Sequence, residues 1–164
     1  MQSVHDGSAV DALVFRQSVS RFATGIAIVS CLDDAGEPQA MTVNSFTSIS
    51  LEPATVLVSL KPGRTNQMIR QRGWYGVSVL TGGQELWSQH FSGRPQGDAV
   101  AAWQMKSRVP VLLGALAWFE CAVHEAVQVH DHTLFLGRVI DCGHASGDPL
   151  MFYASSYHSG AIAA

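Results

Sequence analysis

The sequence predicts a mainly β domain, a barrel with small helices on its periphery. Three observations lead there. Many short apolar runs of strand length are separated by turn residues. Only a few brief stretches have helical spacing or helix caps. Strands do not alternate with long helices and there is no G-x-G-x-x-G, so a doubly wound nucleotide fold is disfavoured.

The elements follow in order. Ser8-Ala9-Val10-Asp11 reads as a capping box with Asp in place of Glu, and Val10, Leu13, Val14 and Phe22 share one face of a helix ending near Thr24-Gly25. Gly25 to Leu32 is β-branched and continuous, as in a strand buried on both faces. Asp33-Asp34-Ala35-Gly36 turns the chain into a hairpin partner, Gln39 to Phe46. Ala54 to Leu60 is a third strand. Thr65 is expected to cap a short helix over Asn66 to Arg72, closed by Gly73. Trp74 to Leu80 is a fourth strand, and Gln84 to Phe91 a second short helix. Val100 to Arg108 reads as a connector. Leu116 to Val129 and Thr133 to Cys142 form two long strands joined tightly at His130-Asp131-His132. Leu150 to Tyr153 is a last short strand before a fraying tail.

Bulk properties exclude several functions. At 164 residues a single domain, 9–160, with a disordered lead-in over 1–8, is expected. A net charge of −3 argues against nucleic acid, which would call for a basic stripe. No apolar run approaches the roughly 20 residues of a membrane span, and the start lacks a signal pattern. Cys31, Cys121 and Cys142 lie in apolar segments without CxxC spacing and read as reduced core residues of a cytoplasmic protein. A charged fraction of only 14% hints at surface covered by another subunit.

The run Met41-Thr42-Val43-Asn44-Ser45-Phe46-Thr47-Ser48-Ile49-Ser50-Leu51 is the most informative stretch. So many small polar side chains need partners if they leave water. They either form an exposed edge strand or line a site for a polar ligand, and periodicity leaves both open. A flavin ring suits the second reading, because short side chains and close backbone approach match its donor- and acceptor-rich edge. Lys61-Pro62-Gly63-Arg64-Thr65-Asn66 sets two cations before a helix start, a place for a phosphate or simply a capped surface helix. Arg94 is a weaker phosphate candidate. His124, His130 and His132 lack a carboxylate or thiolate at metal spacing, so no metal is expected. One of these histidines is expected to face a site.

Taken together, these motifs resemble the short-chain flavin reductases, the flavin reductase-like family with an FMN-binding split barrel. The resemblance spans Phe15-Arg16 to about Tyr157. It rests on Phe22-Ala23-Thr24-Gly25, the Met41 to Pro53 run, Phe91-Ser92-Gly93, Pro110 through Glu120-Cys121, and Asp131-His132-Thr133 through Val139. It implies a homodimer that reduces FMN or FAD with NADH or NADPH and releases reduced flavin to a partner monooxygenase. It implies that Thr42, Val43, Asn44 and Ser45 hold the ring and ribityl. Ser48, Ser50 and the segment Ser59, Leu60, Lys61, Arg64 and Thr65 would serve the ribityl and phosphate end. Phe91 would lie near the flavin tail, and His132 would meet the nicotinamide as the catalytic residue. A protein that retains FMN for its own small substrate, or a non-catalytic flavin carrier, would share these features.

Overall fold

The computed structural model describes residues 9–160. The expected disordered segment 1–8, and Ser8 of the capping box, fall outside that range. Twelve strands are described, with three α-helices and a 3-10 turn at Gly82–Gln84. Helix α1 (Ala12–Val19) starts where the Asp11 carboxylate accepts from the N–H groups of Leu13 and Val14 at 2.9 and 3.0 Å. It ends short of Thr24 because β1 (Thr24–Gly25) pairs with β11 (Leu150–Tyr153). The tail after Tyr153 does not fray. Ala154 and Ser155 turn at φ 50° and 62°, and β12 (Ser156–Ser159) returns along β11.

One antiparallel sheet of seven strands makes the barrel, in the order β3 (Pro38–Val43), β2 (Ala27–Leu32), β6 (Trp74–Val79), β9 (Ala117–Val129), β10 (His132–His144), β5 (Ala54–Leu60) and β4 (Thr47–Leu51). Strand β2 is buried on both faces, as its unbroken apolar run demands. Ala27, Val29 and Cys31 enter the barrel core with Val58, Tyr75, Cys121 and Phe135. Ile28 turns outward, joining Ile26, Leu80, Leu112 and Leu150 in a second cluster. Each fully buried Ile or Val contributes about 1.5–3 kcal/mol, so the strand is anchored from both sides. The connector Val100 to Arg108 contributes to the structure as well, since β7 (Trp103–Met105) pairs with β8 (Pro110–Leu112).

Helix α2 (Arg64–Arg72) seals one end of the barrel with Met68 and Ile69. Its N-cap is Gly63 and no side chain caps it, so Thr65 is a buried helical residue instead of the expected cap. Gly73 closes it at φ 73°, a left-handed value that glycine adopts without strain. Gly137 is required where β10 bulges over Tyr75, since a Cβ there would lie 2.1 Å from the phenol oxygen. Cys31 and Cys121 are buried, and burial pushes their thiols up to about 11 and about 12. Cys142 is exposed, contrary to a core assignment, because it lies beyond the irregularity at Val139 to Asp141, on a stretch of β10, Ile140 to Cys142, that faces solvent throughout. Among the described residues no helix is long and apolar enough to cross a membrane.

Candidate functional site

The hydroxyl-rich run does not form one surface. Strand β3 ends at Val43, Asn44 to Phe46 bend away, and β4 resumes as an edge strand whose five residues are all exposed. The bend closes the barrel. The Ser45 hydroxyl donates to the Ser59 carbonyl at 3.1 Å and accepts from the Ser59 N–H at 2.9 Å. One side chain therefore stitches the end of β3 to the end of β5. Thr42 ties the same corner to α3 (Glu85–His90): its hydroxyl donates to the Ser88 carbonyl at 2.7 Å and its N–H to Phe91 at 3.1 Å.

At this corner is a cavity of about 520 Å³. It brings together Thr42, Val43, Asn44, Ser45, Ser59, Lys61, Phe91 and His132, all singled out from the sequence. Met41, Pro62, Ser92 and Gly93 complete its lining. Gly93 holds φ +86°, so the chain can turn back after α3, and its place after Phe91-Ser92 is the signal that could have flagged this wall. Ser48, Ser50, Leu60, Arg64 and Thr65 do not line the cavity. Ser48 lies on the exposed edge strand, as does Ser50, whose hydroxyl turns to the Pro53 carbonyl. Leu60 and Thr65 are buried.

Arg64 reaches the other way and pairs with Asp33 at 2.8 Å. The Glu37 N–H chiefly holds the Asp33 carboxyl below the usual range, with Ala35 and Arg64 adding to it against the opposing effect of burial. Arg64 lines a separate cavity of about 800 Å³ with Arg70 and Gln128. There Arg70 is committed to Asn66, Gln128 and Thr133. Buried Asn66 also donates to the carbonyls of Leu60 and Lys61 and to the Thr133 hydroxyl at 3.3, 3.1 and 3.1 Å. This polar knot, not visible in the sequence, fixes the segments bearing Lys61 and His132 relative to each other.

His132 sits after a two-residue corner, with His130 at φ 51°. Its Nδ1 is 2.9 Å from the Asp131 carboxylate. That hydrogen bond, and the charge of His132, hold the Asp131 carboxyl below its ordinary range, with a smaller contribution from Lys61. With Nδ1–H donated to Asp131, Nε2 is the ring atom left for a ligand. Among the described residues no three His, Cys, Asp or Glu side chains gather as a metal site.

The cavity suits a flavin. Val43, Met41 and Phe91 supply apolar wall, and Lys61, in no ion pair among the described residues, supplies a cation. The N–H groups of Asn44 and Ser45 have no backbone acceptor among the described residues, so donors remain for a polar ring edge. The volume lies within the roughly 300–1,000 Å³ of small-molecule sites.

The sequence profile of the flavin reductase like domain matches residues 19–161. The chain belongs to the flavin reductase-like family. The reductase is 49% identical over 153 residues to the NADH-dependent flavin reductase StyB of Pseudomonas fluorescens, covering 91% of this chain and 90% of that one. It superposes on the styrene monooxygenase flavin reductase SMOB of Pseudomonas putida S12 with a TM-score of 0.86 at 49% identity, over 92% of this chain and 99% of the other. BorF, the flavin reductase component of a bacterial two-component tryptophan halogenase, matches with a TM-score of 0.82 at 32% identity, over 91% and 98%. The expected barrel is therefore the family's barrel.

Proposed function

We propose that the cavity at the β3–β5 corner holds FAD or FMN beside His132, and that the reduced flavin leaves for a partner monooxygenase. The chain is an NADH-dependent flavin reductase, an NAD(P)H:flavin oxidoreductase. The observation that carries the site assignment is the convergence of Asn44, Lys61 and His132 on one cavity from three separate parts of the sequence. A bound flavin supplies the hydride acceptor. No side chain has to act as a nucleophile.

The protein's residues then have distinct tasks. The Asn44 and Ser45 N–H groups present dipoles to the pyrimidine edge, where negative charge develops. Lys61 pairs with the phosphate. Thr42 and Ser45 are occupied with Ser88 and Ser59, so they shape the wall more than they bind through their hydroxyls. His132, held by Asp131, orients the dihydronicotinamide at near-attack distance, roughly 3–3.5 Å from the ring. Apolar side chains left exposed on α1 and β4, Leu13 at 63% and Leu51 at 89% among them, support a homodimer. Three free cysteines support a reducing, cytoplasmic setting.

Anaerobic mixing with NADH, then NADPH, each with FMN, FAD or riboflavin, tests the assignment. Loss of the yellow absorbance at a rate that saturates with flavin is expected. Flavin that stays with the protein through gel filtration would instead point to a retained prosthetic group, and absence of bleaching would refute the reductase.

A further inference from the structure

Lys61 and His132 both stand just past the end of a strand ladder. Leu60 and Thr133 are the last pair between β5 and β10 on that side, so each of the two site residues lies one position beyond it. His132 still pairs with Val129 of β9, but that pairing does not reach the Lys61 segment. Side chains make the link instead.

The link has a fixed direction. The Arg70 guanidinium can only donate. Its Nε donates to Asn66 Oδ1 at 3.1 Å, which turns the Asn66 amide N–H groups toward the Leu60 and Lys61 carbonyls and the Thr133 hydroxyl. The Thr133 hydroxyl accepts from Asn66 and from Arg70 Nη2 at 2.8 Å, so its own proton goes to Gln128 Oε1 at 3.1 Å. The Gln128 amide then donates to the His130 carbonyl at 2.8 Å. One chain of donors and acceptors thus runs from the Lys61 carbonyl to both flanks of Asp131-His132. Asn66 and Thr133 are buried, where such bonds are strong and a missing one is costly. Arg70 is in no ion pair among the described residues, so its charge strengthens its bonds to these neutral acceptors.

We propose that Asn66, Arg70, Gln128 and Thr133 are positioning residues for hydride transfer. None of the four lines the flavin cavity, and they exchange no proton with the reactants. They act through Lys61 and His132, holding the phosphate contact and the nicotinamide contact in one frame so that the two rings meet at reacting distance. A misplacement of about 1 Å there costs on the order of a hundredfold in rate. The proposal rests on the placement of the flavin beside Lys61 and His132, and adds what keeps those two residues in register.

Arg70→Met and Gln128→Leu test it, because both side chains are exposed and their loss leaves the core packing intact. Anaerobic single turnover, with enzyme in excess over FMN and NADH saturating, reads a reduction rate constant that an unfolded fraction does not alter. That constant should fall about tenfold in each variant. The FMN Kd, and the NADH concentration giving half the maximal rate, should stay within about twofold. Thr133→Val should slow reduction in the same way, and Thr133→Ser, which keeps the hydroxyl, should restore most of the rate. A rate constant within about twofold of the wild type in Arg70→Met or Gln128→Leu, or a fall matched by an equal loss of FMN affinity, overturns the proposal. Wild-type reduction by His132→Ala would instead defeat the site assignment beneath it.

Discussion

Two halves of one run both mix small hydroxyl side chains with apolar ones, yet have opposite surroundings. Thr42 to Ser45 span the end of β3 and the bend after it and line the cavity, while Thr47 to Leu51 form an exposed edge. A second pair repeats the contrast three residues apart: Lys61 lines the cavity and Arg64 pairs with Asp33. In both cases residue type is uninformative, and what decides is which side of a bend the residue occupies. Pro62-Gly63 separates the cations, and Phe46 separates Ser45 from the exposed edge strand.

The sharpest test within the serines is Ser45→Ala. It removes both bonds to Ser59 and leaves partly buried backbone groups without that partner, so a loss of about 1–3 kcal/mol is expected in denaturant unfolding. A stability equal to that of the wild type would show that the barrel closes without this stitch. Next in size, His132→Ala should lower kcat/KM for NADH about tenfold, about 1.4 kcal/mol of transition-state stabilisation. The flavin Kd should stay within about twofold. Matching losses in both quantities would make His132 a structural residue.

The Arg64 side of the comparison has a pH signature. Asp33 has a depressed folded pKa, so it binds fewer protons when folded than when unfolded. Its contribution to stability is present above about pH 4 and is lost as pH falls through the depressed folded value. Asp33→Asn should therefore lower the Tm at neutral pH and flatten its decline below about pH 4. A variant with an unaltered acid limb would remove Asp33 from this role. The smallest effect belongs to Ser48→Ala on the edge strand, with stability within about 0.5 kcal/mol and flavin affinity unchanged. A marked loss of affinity there would return the edge strand to the site.

Much of this was legible in the sequence, for physical reasons. The β2 run announced burial on both faces because every one of its residues is apolar or small. Gly73 announced a helix end because few residues tolerate its left-handed turn. What was hidden depends on contacts distant in sequence. Nothing near Ser45 signals Ser59, and nothing near Arg64 signals Asp33, 31 residues earlier. Thr65 is as good a capping residue as any, yet the chain starts α2 two residues sooner because Thr65 and Asn66 are drawn into the buried layer. Strand β12 is not visible in the sequence because its turn places Ala154 and Ser155 at positive φ without the Gly or Asn that ordinarily announces such a turn.

The flavin site is tested most directly by measuring FMN dissociation constants for Lys61→Ala and Arg64→Ala side by side, at low and high salt. Lys61→Ala should bind FMN about tenfold or more weakly, with the deficit shrinking as salt screens the exposed lysine. Arg64→Ala should stay within about twofold of the wild type. Equal affinities in the two variants, or a greater loss in Arg64→Ala, would contradict the placement of the flavin phosphate at the cavity beside His132.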